Sequence, residues 1–355
     1  MTRDHPLLAQ AVLMDGSFAS LTEGRGSSIA RIHALLSGGM GPLPGRVELH
    51  YTPGQQWAAW RTLPELVTGA SLDRNIRSAY AWLARNWRPG VPLYFFGYSR
   101  GALGVCALAQ MIARIGLLRP EHVNDERLTC AWNIFRYAPG HMLEPALCHA
   151  HVPIRMIGLL DMVMSLGLRL PGIRDLSAPD FDYGRGVLAP NVEHGAHALA
   201  LDETRTAFQP ILWDEAGSPA RISQVWFRGC HPDVGGQLGG NEAARPLANL
   251  PLAWLMSQAQ GVGLPLPQDW DRHLPCDVNA PAVGSWHSWG KAFLIRGPRH
   301  AGKGVSHKLH ATVPRPYPGP ARLWGDLATA APPRRTRRLG FRMRRNDGMD
   351  NSAPA

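Results

Sequence analysis

Leu93-Tyr94-Phe95-Phe96-Gly97-Tyr98-Ser99-Arg100-Gly101-Ala102-Leu103-Gly104-Val105-Cys106 carries an apolar, strand-like run into Gly-x-Ser-x-Gly and out into a helix-like stretch that continues to Arg114. A serine on a sharp strand-to-helix turn has a strained backbone, and a side chain at either flanking glycine would collide with the neighbouring strand or helix. Gly97 and Gly101 meet that demand, so Ser99 is expected to stand clear of a sheet with a helix N-terminus behind it. With 38 glycines in 355 residues, chance supplies about 0.2 copies of the pattern. The pattern occurs once, in the setting that a nucleophile elbow requires. The competing reading is a glycine-rich turn with a hydrogen-bonded serine.

Working outward, Ala11-Val12-Leu13-Met14 reads as a first strand that ends in the loop Asp15-Gly16-Ser17. A short helix is predicted over 27–36, a Gly/Pro loop over 38–45 and a second strand over 47–51. Helical spacing runs through Ile76, Tyr80, Leu83 and Trp87 until Pro89-Gly90 stops it. Beyond the elbow, a helix is predicted over 128–137 and a strand over 154–160, ending in Asp161. From 166 to about 212 the pattern is irregular, with a helix expected around Gly195 to Asp202. Gln224-Val225-Trp226-Phe227 is a further strand leading into Arg228-Gly229-Cys230-His231-Pro232-Asp233-Val234-Gly235-Gly236, and a helix follows over 250–260. Strands alternating with helices imply an α/β fold, hydrolase-like, with a mostly parallel sheet and helices on both faces. The expected organisation is one domain over 1–330, with a lid-like insertion at 165–222, and a basic disordered tail over 331–355.

A chain that is 45% hydrophobic can bury a large core. Its five cysteines are scattered with no Cys-x-x-Cys pair, so neither a disulfide framework nor a zinc knuckle is suggested. No run reaches the ~18 apolar residues that a membrane span needs, and the short run Leu7 to Met14 ends in Asp15 rather than a small-residue cleavage site. The reading is synthesis in the cytoplasm, with no signal peptide and no transmembrane helix. The net charge is +10, and seven arginines crowd into Arg334 to Arg345. Such a block attracts anionic surfaces, while the plainer reading is a solvated tail with no dedicated partner. With Phe341 as the only ring there, a specific nucleic-acid surface is not expected.

A nucleophilic serine needs a base, and the base needs an acid that fixes its tautomer. In hydrolase folds these follow in the order Ser, acid, His at the C-terminal edge of the sheet, an order that Asp161 and His231 satisfy. The competing reading of Asp161 is a helix N-cap after the strand. His231 is one of 15 histidines, and His197 is its rival. Asp233 reads as a loop-shaping residue, and a His231/Asp233 metal site lacks a companion His cluster, so no metal or other cofactor is expected. Two backbone N–H groups should bind the oxyanion, one from Arg100 and one from the Gly16-Ser17 loop. The Arg100 side chain either binds a phosphate or carboxylate or anchors the turn.

Several ordered blocks resemble one family. They are Asp15-Gly16-Ser17, Phe96-Gly97-Tyr98-Ser99-Arg100-Gly101-Ala102, Gly158-Leu159-Leu160-Asp161-Met162-Val163, His197 to Glu203, and Val225 to Gly236, with a late His310-Ala311-Thr312-Val313 echo. Together they resemble the α/β-hydrolase domain that includes type VI secretion phospholipase effectors, the Tle1-like family, over roughly residues 8 to 315. Leu160-Asp161-Met162-Val163 stands where the family has Trp-Asp-Thr-Val, and Phe96-Gly97-Tyr98-Ser99 where it has Phe-Gly-Phe-Ser. The resemblance implies a catalytic triad of Ser99, Asp161 and His231 rather than His197, and an acyl-ester or phospholipid substrate. It also implies transient contact with a membrane surface, export by a signal-independent secretion system and a cognate immunity protein. Trp286-His287-Ser288-Trp289 is read either as lining for an acyl pocket or membrane contact, or as a buried Trp pair.

Three readings stand at this point. The first is a serine hydrolase that cleaves carboxylic esters through an acyl-enzyme. The second is a catalytically silent binding or adaptor protein docked through its basic tail. The third is a metal-dependent hydrolase built on His231 and Asp233.

Overall fold

The computed structural model describes residues 6 to 324 apart from 25, 57–69, 165–182, 184–185, 217–218, 288–289, 292 and 303. Seven strands form one sheet: β1 (Leu7–Met14), β2 (Arg46–Thr52), β3 (Leu93–Tyr98), β4 (Ile154–Leu160), β5 (Val192–Ala200), β6 (Ile222–Phe227) and β8 (His307–Leu309). Their order is β2-β1-β3-β4-β5-β6-β8, and every adjacent pair is parallel. Two short strands, β7 (His300–Ala301) and β9 (Arg322–Leu323), pair separately. The helices are α1 (Ser28–Leu36), α2 (Ala70–Asn86), α3 (Arg100–Ile115), α4 (Asp125–Tyr137), the short α5 (His231–Gly235) and α6 (Arg245–Gly261). This is a mostly parallel α/β-hydrolase-like architecture. Among the described residues, no helix is long and apolar enough to cross a membrane.

A strand buried on both faces sends alternate side chains into two different cores. Val12 and Met14 of β1, with Phe95 of β3, pack under α2, α3 and α4. Ala11, Leu13, Tyr94 and Phe96 pack on the opposite face with α1 and α6. Burying one such Val, Leu or Phe completely contributes about 1.5–3 kcal/mol, so a one-residue slip of β1 or β3 would empty both cores at once. The register is thereby pinned.

The topology locates the site. The chain leaves β1 toward β2 on one side and returns to place β3 on the other, so the connections diverge between β1 and β3. In open parallel sheets that divergence leaves a crevice at the C-terminal ends of the strands. Asp15-Gly16-Ser17 follows β1 and Ser99 follows β3 at this edge.

Three expectations are corrected. The helix expected around Gly195 to Asp202 is strand β5, whose last six residues are buried. Burial on both faces removes the period that would distinguish strand from helix. Trp213 packs on Gly195, where an added Cβ would lie 3.0 Å from its ring. It follows that the expected insertion at 165–222 does not extend through β5, which is a full member of the sheet between β4 and β6; residues 165–182 lie outside the described residues. Helix α6 starts at Arg245 rather than 250, because Pro246 occupies its first turn and Pro251 lies inside it. The basic tail after 330 lies outside the described residues.

Candidate active site

Ser99 sits between β3 and α3 at φ 56° and ψ −124°, outside the regions that L-residues favour. Both flanking glycines are enforced by contact. A Cβ at Gly97 would lie 2.5 Å from the Ala102 Cα, and one at Gly101 would lie 2.3 Å from the Met14 carbonyl oxygen. The Ser99 N–H donates to the Leu160 carbonyl at 3.1 Å, tying the turn to the end of β4.

From the next strands come two partners. Ser99 Oγ is 3.0 Å from His231 Nε2, and His231 Nδ1 is 2.6 Å from Asp161 Oδ2. All three residues are buried. Asp161 follows β4 at φ 45°, and its N–H donates to the Ala198 carbonyl at 2.8 Å. His231 opens α5, where the Asp233 carboxylate accepts the Cys230 N–H at 2.8 Å and the Val283 N–H at 2.6 Å. Asp233 therefore faces backbone amides, while both His231 ring nitrogens face Asp161 and Ser99. The pair does not converge on a common point, as a His231/Asp233 metal site would require. Among the described residues, no group of three or more His, Cys, Asp and Glu side chains could hold a metal ion.

His197 lies elsewhere. It is fully buried on β5, where its Nε2 accepts the Met162 N–H at 3.0 Å. Burial pushes its pKa down to about 3, keeping the ring neutral and able to accept that bond.

The electrostatics follow from burial and from one cation that the sequence reading missed. Burial alone would raise the Asp161 pKa, but the Arg299 guanidinium and His231 hold it well below the usual carboxylate range. Arg299 is itself fully buried. Burial lowers the His231 pKa, with Asp161 working against that shift. An ionised Asp161 can only accept, so Nδ1 carries the proton and Nε2 is left to accept the Ser99 hydroxyl.

Aromatic and charged groups fix the imidazole from other directions. Tyr98 stacks on it at 4.9 Å between centroids, and Phe208 meets it edge-on at 5.0 Å. A Cβ at Gly235 would come within 1.9 Å of the Tyr98 ring, so only glycine allows this approach. Buried Glu203 accepts the His231 backbone N–H at 3.2 Å and the Arg205 guanidinium at 2.6 Å, and Arg205 covers the Phe208 ring at 3.8 Å. Glu203 closes the family-like block His197 to Glu203, but nothing in the sequence pairs it with Arg205 two residues on.

The loop after β1 closes against the elbow. The Asp15 carboxylate accepts Ser27 Oγ at 2.6 Å, the Gly16 N–H at 2.8 Å and Tyr51 Oη at 2.9 Å, and burial pushes its pKa up to about 6. The Gly16 N–H is thus turned to Asp15, which leaves the Ser17 N–H as the loop's candidate oxyanion donor beside that of Arg100. The Arg100 guanidinium donates to Ser17 Oγ, with Nε at 2.8 Å, and to Gln55 Oε1 at 3.2 Å. Of the two roles open to this side chain, anchoring the turn matches its contacts. Trp286 is 57% exposed beneath the Arg296 guanidinium, so it is not one of a buried pair; Trp289 lies outside the described residues.

Comparison with known proteins gives a family. The "Uncharacterized protein YEL023C" of Saccharomyces cerevisiae is 32% identical over 158 residues, covering 40% of this chain and 22% of the relative. A crystal structure of an uncharacterized protein from Pseudomonas aeruginosa superposes with a TM-score of 0.45 at 17% identity, covering 73% of this chain and 46% of that one. The structure of the Tle1 effector bound to the VgrG spike from the type 6 secretion system gives 0.36 at 17% identity, covering 65% and 52%. The chain thus spans from about a fifth to about half of the length of these relatives. The model of the type VI secretion phospholipase effector Tle1-like catalytic domain matches residues 11–258, and this chain belongs to that family.

Proposed function

We propose that this chain is a serine hydrolase that cleaves carboxylic acyl esters through an acyl-enzyme, with phospholipids as its substrate class and the type VI secretion machinery as its route of export. The observation that carries the chemistry is the continuous relay from Ser99 Oγ through His231 to Asp161, at 3.0 and 2.6 Å. The substrate class and the route rest on family membership.

In this reading, Ser99 Oγ attacks the ester carbonyl while His231 Nε2 takes its proton, and Asp161 stabilises the imidazolium that forms. The backbone N–H groups of Arg100 and Ser17 receive the oxyanion, each such donor being worth about 3 kcal/mol in the transition state. The tetrahedral intermediate collapses as His231 returns the proton to the departing alcohol. Water, deprotonated by the same ring, then releases the acid and regenerates Ser99.

An organophosphonate carrying a reporter group is expected to label the wild-type protein stoichiometrically and Ser99→Ala not at all, with ester turnover lost in parallel. Turnover retained in purified Ser99→Ala would overturn the proposal. Labelling also separates this reading from a silent adaptor, which would bind anionic vesicles without reacting.

The pH dependence has a definite sign. The base works only when neutral, and burial lowers the His231 pKa, so the acid limb of kcat/KM should fall below the pH at which an exposed histidine titrates. A limb at or above that pH in a profile measured with a soluble ester would contradict the assignment of His231.

A further inference from the structure

We propose that Arg299 is a positioning residue of this site: its guanidinium locks the Asp161 carboxylate in place and cancels much of its charge, so that His231 stays neutral and serves as base at lower pH. The proposal rests on the assignment of Ser99, His231 and Asp161 made above.

The geometry is two-pronged. Arg299 Nη1 donates to Asp161 Oδ1 at 2.6 Å and Nη2 to Asp161 Oδ2 at 3.0 Å, a bidentate pair between side chains with no exposure. The same guanidinium is held by the Ala200 carbonyl at 2.7 Å and by the Phe208 carbonyl. Asp161 Oδ1 also accepts the Ala200 N–H at 3.0 Å, and Oδ2 faces His231 Nδ1 at 2.6 Å. Each carboxylate oxygen therefore has two donors, and rotation about the Cβ–Cγ bond would break all four.

The charge argument is separate from the geometry. An acid beside a histidine favours the imidazolium, and in a dry site the effect is large. A guanidinium bonded to that acid offsets it. The other charges around the imidazole are themselves paired: Glu203 with Arg205 behind the His231 backbone, and Asp233 with the amides of its own turn and of Val283. His197, on the far side of Asp161, is neutral, and so are Tyr98 and Cys230, whose pKa values burial raises. Arg299 is thus the charge whose removal changes the balance at Asp161 directly. It also lies beyond the residues matched by the family model, 11–258.

The test is the titration of the His231 ring, followed by NMR in the full-length protein with labelled histidine, alongside the kcat/KM profile on a short-chain p-nitrophenyl ester. In Arg299→Gln the carboxylate is uncompensated, so the His231–Asp161 pair should take up its first proton about one pH unit higher, a tenfold change in proton affinity. The acid limb of kcat/KM should move with it, and kcat should fall at least about tenfold at unchanged KM. Arg299→Lys keeps the cation and loses the fork; its titration should stay at the wild-type midpoint while kcat falls. A Gln variant with the wild-type midpoint overturns the proposal, as does a Lys variant with wild-type kcat. If the Gln variant does not fold, the Lys variant decides by the same two readings. A ring titration that shifts while the ester profile stays fixed would leave the charge role of Arg299 standing and overturn His231 as the base.

Discussion

Ser99→Ala, His231→Ala and the double variant are expected to lose the same activity, on the order of 10⁴ to 10⁶ in kcat, rather than losses that multiply. Serine and base act as one unit, because the hydroxyl is a poor nucleophile unless its proton has somewhere to go, and the base has no task without the hydroxyl. In this site the coupling is direct, with Oγ and Nε2 at 3.0 Å and both side chains buried. Neither change should unfold the protein. Ser99 Oγ makes no bond that the core depends on, and His231 is surrounded by Tyr98, Phe208 and Glu203, which remain packed after truncation. Circular dichroism and thermal melting of the three variants would accompany the rate measurements. Losses that multiply would show two independent contributions and contradict the shared step.

Gly101→Ala is expected to damage stability and activity together. The new methyl would press on the Met14 carbonyl oxygen at 2.3 Å and the Asp15 carbonyl oxygen at 2.6 Å, backbone atoms at the end of β1 and in the loop that follows it, which cannot swing away as a side chain would. Overpacking of this kind costs about 1–3 kcal/mol, and the rigidity of β1 places this site at the upper end. The displaced atoms belong to the strand that carries the Asp15-Gly16-Ser17 loop. A shift of about 1 Å there can cost 10²-fold in rate. Differential scanning calorimetry and ester turnover would check both effects. A Gly101→Ala protein with wild-type melting and turnover would show that α3 can back away from β1. Gly90→Ala is the control: that glycine faces open space within 4 Å, so the change should leave turnover untouched, although its φ of +85° favours glycine.

The sheet was legible because its strands are short apolar runs bounded by Gly, Pro and Asp, and the elbow was legible because a strained serine demands glycines at fixed spacing. β5 was misread for a physical reason: Gly195-Ala196-His197-Ala198-Leu199-Ala200 is buried on both faces and rich in helix formers, so neither period nor propensity points to a strand. Motif order points to Ser99, Asp161 and His231 but leaves His197 as a rival base, and the family resemblance selects between the two histidines; in the structure Ser99 Oγ and Asp161 Oδ2 both lie within hydrogen-bonding distance of the His231 ring. His197 and Asp233, the secondary candidates that the sequence offers, bond to backbone N–H groups. Arg299 could not have been found. It stands in Pro298-Arg299-His300, far along the chain from Asp161, and nothing local distinguishes a buried, paired arginine from a surface one. The use of the Gly16 N–H by Asp15 was equally hidden, since only the folded loop shows where an amide points.

The groups that meet around Ser99 are contributed at intervals along the whole length of the chain, and the last of them to be synthesised is Arg299, just ahead of the edge strand β8. A nascent polypeptide that has emerged only as far as β6 and α5 already holds the serine, the histidine and the aspartate, but the aspartate has no cation to meet it. Its carboxylate would then keep only His231 Nδ1 and the Ala200 N–H as partners, and a buried charge left without its counter-ion disfavours closing of the partly made sheet edge. Non-local assembly of this kind is slow and completes cooperatively. The last of the paired charges around Asp161 therefore waits on the segment between α6 and β8, well after the elements that carry Ser99, Asp161 and His231.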